Sequence, residues 1–182
     1  MIYIALLHYP VKNSRGDVVT TSIANMDIHD IARAAKTFGV KVFYIVNPIK
    51  AQQDLARKII SHWQEGHGAG FNPSRAEAFR LIRIHSELKD VLSDIKVQEG
   101  REPLTIVTGA NIRHNFLTVA ELKRLLKNDQ LPYLLIFGTG FGIDEEKMEN
   151  ADYRLEPIKG AGDYNHLSVR SAVAIILDRV LN

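Results

Sequence analysis

The stretch Leu134-Leu135-Ile136-Phe137-Gly138-Thr139-Gly140-Phe141-Gly142 places a strand-like apolar run directly before three glycines at every second position. Glycines lack side chains, so the backbone N–H and C=O groups of such a loop can approach a ligand closely. A second loop, residues 155–162, leads into residues 165–174, which begin as polar and continue as an apolar helix. Two such loops can enclose one flat polar ligand. The sequence therefore predicts a cofactor site near the C-terminus.

The glycine spacing argues against two common nucleotide loops. A Walker A loop needs Gly-Lys followed by Ser or Thr, which does not follow Gly142. A Rossmann loop has the spacing G-x-G-x-x-G, whereas residues 138–142 have G-x-G-x-G. The plainer alternatives stay open at this point: a glycine-rich turn at residues 138–142 and a well-capped terminal helix at residues 165–174.

The composition is that of one globular domain, which we expect to span residues 1–182. With 182 residues, 46% of them hydrophobic and 24% charged, the chain can bury a substantial core. A net charge of +2 is too small to indicate nucleic-acid binding by itself. There are 0 cysteines, which excludes disulfides, thiolate catalysis and zinc sites with Cys ligands. The seven histidines show no metal-binding spacing, and we expect no metal.

No membrane-spanning or secretory segment is expected. The first residues carry no positive region, and no apolar run approaches the roughly 18 residues of a membrane span. We therefore expect no membrane partner and a cytoplasmic location.

Strand-like and helix-like runs alternate along the chain. The predicted strands are 2–7, 42–46, 81–85, 104–110, 133–137 and 153–157. The predicted helices are 27–38, 51–65, a short one from 75 capped by Ser74, 88–97, 118–127, 144–150 and 167–181, with a glycine-rich loop over 66–73. This order indicates an α/β fold with a mostly parallel sheet and helices on both faces. Ligands bind such sheets at the carboxyl ends of the strands, where the segments 108–109, 138–140 and 158–160 carry small or backbone-exposing residues.

Three segments, taken together, resemble the SPOUT class of RNA methyltransferases, the α/β-knot family. Arg33 followed by Phe38-Gly39 is similar to the first motif of that class, an Arg-bearing helix that closes on Phe-Gly. Residues 137–143 resemble the second motif, and residues 158–177 the third. The resemblance extends from residue 20 to the end of the chain.

Two features leave the methyl acceptor open. The sequence Gly162-Asp163-Tyr164 resembles the tRNA guanine-N1 methyltransferase branch. Asp27 stands where 2′-O-methylating members place an Asn, and Ser168 stands where the third motif has an Asn, with Asn165 too early. The acceptor is therefore either a ring nitrogen or a ribose 2′-hydroxyl.

The resemblance implies a C-terminal trefoil knot, a homodimer, S-adenosylmethionine as cofactor, and tRNA or rRNA as substrate. It implies that Arg33 of the other subunit binds the target phosphate or assists deprotonation, and that Asp163 is the base if the acceptor is a ring nitrogen. Lys12, Arg15 and Lys36 are candidate phosphate contacts. The implied cofactor-binding residues are Thr108, Gly109, Phe137, Gly138, Thr139, Gly140, Gly142, Ile143, Ile158, Lys159, Gly160, Leu167, Ser168 and Ser171.

The main alternative is an α/β module that binds a nucleotide or RNA without catalysis. The small net charge and the missing motif Asn favour that alternative. A hydrolase is disfavoured, because the sequence has no G-x-S-x-G segment and no evident nucleophile with a base.

Overall fold

A computed structural model describes residues 1–162 and 164–182 of the chain. Its strands are β1 (Ile2–Leu7), β2 (Val11–Lys12), β3 (Val18–Val19), β4 (Phe43–Val46), β5 (Ile82–His85), β6 (Leu104–Val107), β7 (Tyr133–Gly138) and β8 (Tyr153–Arg154). Its helices are α1 (Asn25–Thr37), α2 (Lys50–Gln64), α3 (His67–Phe71), α4 (Pro73–Phe79), α5 (Leu88–Glu99), α6 (Val119–Asn128), α7 (Glu145–Glu149) and α8 (Val169–Leu181).

The central sheet has the strand order β5-β4-β1-β7-β6-β8, and each neighbouring pair is parallel. β7 lies beside β1, with Gly138 opposite Leu7. Because all the strands run the same way, their carboxyl ends meet at one edge of the sheet. The predicted parallel α/β architecture is confirmed.

Helices cover both faces of this sheet. Ile4 and Leu6 of β1 pack on one face with α1, α2, α4, α6 and α8, whereas Tyr3 and Ala5 face the opposite side with Val91 of α5. Successive strand residues point to opposite faces, and here both faces are buried. For that reason β1 and β7 have continuous apolar sequences rather than alternating ones.

Several local predictions need correction. Residues 67–71 form α3 inside the segment predicted as a loop. The cap of α4 is Asn72 rather than Ser74: the Asn72 side chain accepts a hydrogen bond from the Arg75 N–H at 3.0 Å, and Pro73 takes the first helical position. The β2–β3 hairpin was not predicted, because its two-residue strands are too short for a periodic signal. By contrast, the predicted capping box of α6, from Thr118 to Glu121, is present.

The C-terminal helix α8 begins at Val169, two residues later than predicted, and packs against α1 and α6. Its buried residues Val173, Ile176, Leu177 and Val180 join the core on that face of the sheet. This packing brings the start of α8 to the carboxyl edge of the sheet. Among the residues that the structure describes, no helix is long and apolar enough to cross a membrane.

Candidate functional site

A cavity of about 670 Å³ opens at the carboxyl edge of the sheet. Its walls are the glycine loop after β7, the loop after β6, the segment after β8 and the approach to α8. The volume falls within the range typical of small-molecule sites, roughly 300–1,000 Å³. The two loops that the sequence predicted to enclose one ligand therefore line the same cavity.

Close packing constrains the glycine loop at two positions. A Cβ atom on Gly138 would lie 2.6 Å from Cγ1 and 3.0 Å from the main-chain nitrogen of Ile143. Gly140 has a φ of +61°, and a Cβ there would lie 2.9 Å from the carbonyl oxygen of Lys12. The loop also pairs with the backbone of β2, since the Lys12 N–H donates to the Gly142 oxygen at 2.9 Å. These glycines are thus required by the conformation of the loop.

A chain of three side chains ties this loop to the end of β1. The Thr139 hydroxyl contacts the Thr21 hydroxyl and donates a hydrogen bond to the Leu7 carbonyl oxygen at 3.1 Å. The Thr21 hydroxyl lies 3.0 Å from Nδ1 of His8, which is only 1% exposed. Burial lowers the pKa of His8 to about 4, so the imidazole is neutral at physiological pH. His8 and Thr21 were not predicted as site residues, because nothing in the local sequence connects them to Thr139.

The opposite wall is built from the loop after β6 and the start of α8. The Thr108 hydroxyl donates to the Ile136 carbonyl oxygen at 3.0 Å, and the Asn165 side chain donates to the Ala110 carbonyl oxygen at 3.3 Å. Ser168 is the N-cap of α8, and its hydroxyl lies 2.8 Å from the Ser171 hydroxyl. The Ser168 hydroxyl therefore stabilises the helix start as well as facing the cavity.

Most of the predicted cofactor residues line this cavity. They are Thr108, Gly109, Phe137, Gly138, Thr139, Gly140, Gly142, Ile143, Ile158, Leu167 and Ser168. Lys159, Gly160 and Ser171 are not part of its lining in the described chain. Arg33 is also absent from the lining; its side chain is 59% exposed and lies 3.9 Å from Asp30. Asp163 lies outside the described residues.

The charged groups of the cavity come from distant parts of the chain. Asp27 of α1 and Arg170 of α8 form an ion pair, with Nη1 3.0 Å from Oδ1, and Nε of Arg170 lies 3.6 Å from Asp30. Nζ of Lys12 lies 2.7 Å from Glu145. Asp27 was already evident in the sequence as a departure from the family pattern, whereas Arg170 was not predicted as a site residue. No sequence signal pairs residues that are 143 positions apart.

Glu156 is the third carboxylate in the described part of the cavity lining. Its Oε1 accepts a hydrogen bond from the Val119 N–H at 2.7 Å, in the first turn of α6. Within residues 1–162 and 164–182, no group of three or more His, Asp or Glu side chains is arranged to hold a metal ion.

The chemistry of the lining fits S-adenosylmethionine. Phe137, Ile143, Ile158 and Leu167 offer apolar surface to an adenine ring, and the glycine loop offers backbone donors and acceptors to a ribose. In the described lining, three carboxylates face two cationic side chains, a balance that suits a positively charged sulfonium. The cavity beside residues 138–142 thus has a volume and a described lining that suit the predicted cofactor.

Comparisons with known proteins agree with this fit. An uncharacterized protein of Aquifex aeolicus is 43% identical over 181 residues, which are 100% of this chain and 88% of that protein. The tRNA (guanine-N(1)-)-methyltransferase of Oleidesulfovibrio alaskensis is 41% identical over 180 residues, which are 99% of this chain but only 42% of that enzyme. The chain thus spans less than half the length of that relative.

The fold is shared with solved methyltransferase structures. The SpoU methyltransferase AviRb of Streptomyces viridochromogenes, solved in complex with AdoMet, superposes with a TM-score of 0.59 at 14% identity, over 100% of this chain and 56% of that one. The family model described as SAM-dependent RNA methyltransferase matches residues 1–182. The chain therefore belongs to the family of SAM-dependent RNA methyltransferases.

Proposed function

We propose that this chain, as one α/β-knot domain over residues 1–182, methylates a nucleotide of tRNA or rRNA in the cavity at the carboxyl edge of its sheet. The observation that carries the proposal is the convergence of the glycine loop, the loop after β6 and the approach to α8 on that one cavity. The family match supplies the class of reaction and the cofactor.

In this proposal the cofactor is held mainly by backbone. Thr108, Gly109 and residues 138–143 hold the adenine and ribose, together with Ile158 and the residues around Leu167 and Ser168. Lys159, Gly160 and Ser171 lie outside the described lining, and they remain sequence-based candidates for contacts with the cofactor. When bound, S-adenosylmethionine supplies a methyl group that its sulfonium already makes electrophilic. The protein has therefore to align the acceptor with that methyl group and to manage the acceptor's proton.

A knotted C-terminus is part of the proposal. The Leu117 N–H donates to the Arg154 carbonyl oxygen at 2.7 Å, and the Asn165 side chain donates to the Ala110 carbonyl oxygen. Arg154 and Asn165 therefore both contact the loop that joins β6 to α6, before α8 packs against α1 and α6. These contacts are the basis for proposing that the C-terminal segment passes through that loop and forms a knot. Protein chains rarely thread through their own loops, so such a knot would be an exception.

A homodimer completes the proposed site. Arg33 is exposed on α1 and is absent from the cavity lining of its own chain, so a second copy would supply it. There it would bind the target phosphate or assist deprotonation, while Asp163 remains the sequence-based candidate for the base if the acceptor is a ring nitrogen. We propose a cytoplasmic location as well, since tRNA and rRNA are found there.

The proposed RNA contacts are electrostatic. Lys36 lies on α1 and pairs with Glu77 at 2.7 Å, Lys12 lies at the cavity, and Arg15 is exposed in the β2–β3 turn. Phosphate contacts of this kind make RNA binding weaken as salt increases. Similarity to a tRNA guanine-N1 methyltransferase favours a guanine ring nitrogen as acceptor and tRNA as the first substrate to test.

Calorimetry and methyl incorporation test the proposal. The chain is titrated with S-adenosylmethionine and separately with ATP, and we expect saturable binding of the first only. Labelled S-adenosylmethionine is then incubated with bulk tRNA or rRNA from a strain lacking the gene, and the modified nucleoside is identified by mass spectrometry. Binding of the cofactor without label in either RNA would favour the non-catalytic module instead.

A further inference from the structure

We propose that the Asp27 carboxylate, held in place by Arg170, accepts the proton that the RNA acceptor loses during methyl transfer. This inference rests on the proposed function and adds a catalytic residue to it. It follows from a comparison of the carboxylates that line the cavity.

In the described lining these carboxylates are Asp27, Glu145 and Glu156. The Glu145 side chain is 79% exposed and pairs with Lys12. Glu156 is occupied at the start of α6, where it accepts the Val119 N–H. Asp27 is only 8% exposed, yet it belongs to the cavity wall. Of the three, Asp27 best combines seclusion from bulk water with access to a ligand in the cavity.

The contacts of Asp27 leave one of its oxygens available. Oδ1 receives the hydrogen bond from Arg170 at 3.0 Å. Among the residues that the structure describes, no donor is bonded to Oδ2. A carboxylate that is anchored through one oxygen and open at the other can accept a proton from a group placed beside it.

Arg170 acts as the positioning residue. Its Nε also lies 3.6 Å from Asp30, so the guanidinium spans two carboxylates on successive turns of α1. Both contacts restrict the orientation of Arg170 and, through it, that of Asp27. They also join the start of α8 to α1 at the cavity, which fixes the distance between Asp27 and the approach to α8.

The proposed step is balanced in atoms and charge. A lone pair of the acceptor oxygen or nitrogen forms the new bond to the methyl carbon. The bond between that carbon and the sulfonium sulfur breaks, and its electron pair stays on sulfur, which becomes a neutral thioether. The proton of the acceptor passes to Oδ2 of Asp27, and water later removes it from the carboxyl group.

A purely structural ion pair between α1 and α8 is the competing explanation. Breaking a buried pair destabilises the fold, and a poorly folded variant loses activity for that reason alone. The test must therefore separate the rate of the chemical step from folding and from ligand binding. Asp163 is the competing candidate for the base, and it enters the same test.

The experiment compares Asp27→Asn with Asp27→Glu and with the control Asp54→Asn. Asp54 pairs with Arg57 at the same distance of 3.0 Å, but on α2 and outside the cavity lining. Single-turnover methyl transfer is measured with saturating cofactor and RNA, alongside calorimetric affinities and thermal unfolding. We expect Asp27→Asn to slow transfer by roughly 10²–10³-fold with affinities within about 3-fold of wild type. Asp27→Glu should recover part of the rate, and Asp54→Asn should behave as wild type.

The outcomes distinguish the explanations. If the wild type methylates RNA and folded Asp27→Asn does so equally fast, the inference is wrong while the proposed function stands. If Asp163→Asn abolishes transfer and Asp27→Asn does not, the base is Asp163. A wild type that methylates neither tRNA nor rRNA contradicts the proposed function itself.

Two variants of Arg170 test the inference if Asp27→Asn fails to fold. Arg170→Gln keeps the Asp27 carboxylate but removes the charge that holds it, and Arg170→Lys keeps that charge. The inference requires slower transfer at unchanged affinities in Arg170→Gln, with partial recovery in Arg170→Lys. Wild-type rates in both variants would overturn the role of the pair.

Discussion

Thr139 donates a hydrogen bond from its hydroxyl to the main-chain oxygen of Leu7, across 3.1 Å. Leu7 ends β1, and its partner in the sheet register is Gly138. The hydrogen bond therefore fastens the first turn of the glycine loop to the neighbouring strand. Because the loop lines the cavity, its position decides where backbone groups meet the cofactor.

Replacing Thr139 by Val removes this hydrogen bond and the contact with Thr21 at nearly constant volume. A typical net hydrogen bond contributes about 1 kcal/mol, so we expect cofactor affinity to fall by roughly fivefold as the loop loses its anchor. Calorimetry with S-adenosylmethionine measures the change. Thr37→Val is the control, since the Thr37 hydroxyl donates to the Arg33 carbonyl oxygen at 2.8 Å, outside the cavity. Equal affinities in both variants would contradict the role of Thr139.

Replacing Gly138 by Ala should displace Ile143 and with it the cavity wall. The added Cβ would meet Ile143 at 2.6 Å from Cγ1 and 3.0 Å from N. Overpacking of this kind destabilises by about 1–3 kcal/mol, and we expect cofactor binding to fall more than global stability. Urea unfolding and calorimetry measure the two effects. Gly70→Ala is the control, because a Cβ there meets nothing within 4 Å; a similar loss of cofactor affinity in that variant would argue against the steric explanation.

The buried His8 should make the fold sensitive to mild acid. Burial lowers its pKa from 6.5 to about 4. Between these values the unfolded chain binds a proton that the folded chain does not, so stability is fully present above pH 6.5 and is lost as the pH falls towards 4. At pH 4.5 the loss from this group is about 2–3 kcal/mol.

Urea unfolding of wild type and His8→Gln at pH 7.5 and pH 4.5 tests this expectation. The variant should be less stable at pH 7.5 but should lose about 2–3 kcal/mol less on acidification. Burial and the nearby Arg75 lower the pKa of His29 as well. Because His29 is present in both proteins, its contribution cancels when the acid-induced loss of stability in His8→Gln is subtracted from that in wild type. His67 is exposed, so His67→Gln is the control and should lose as much stability on acidification as wild type. If His8→Gln also lost as much as wild type, His8 would not be the source of the acid sensitivity.

The proposed sharing of Arg33 between subunits can be tested by mixing two inactive variants. Arg33→Ala should abolish methyl transfer while leaving cofactor affinity and stability nearly unchanged, since the side chain is exposed and lies outside its own cavity. Gly138→Ala keeps Arg33 but weakens cofactor binding, and the assay uses a cofactor concentration at which this variant alone is inactive. In a randomly exchanged mixture, half of the dimers are mixed, and each has one intact composite site.

That mixture should therefore recover about a quarter of the wild-type activity. Each variant incubated alone under the same exchange conditions is the control. Activity no higher than the sum of the separate variants would exclude a shared site, and loss of cofactor binding in Arg33→Ala would place Arg33 in the cofactor pocket of its own chain.

The sequence predicted most elements correctly where the signal is local. Apolar runs such as residues 133–137 specify strands, and the Thr118–Glu121 pair specifies a helix start, because neighbouring residues determine these structures. Errors fell where the signal is weak. α3 lies in a glycine-rich segment, and the hairpin strands β2 and β3 are too short to show a period.

The sequence by itself determined a glycine-rich loop directly after a strand, since this is a local pattern, and from it predicted a cofactor site near the C-terminus. Only the tertiary structure decided which side chains surround that loop. β7 lies beside β1, and this brings Thr139 into contact with Thr21, which is 118 positions away in the sequence. α8 packs on α1, and this brings Arg170 into contact with Asp27, which is 143 positions away. The physical reason is that strand order and helix docking depend on burial of the whole core, which no stretch of neighbouring residues specifies.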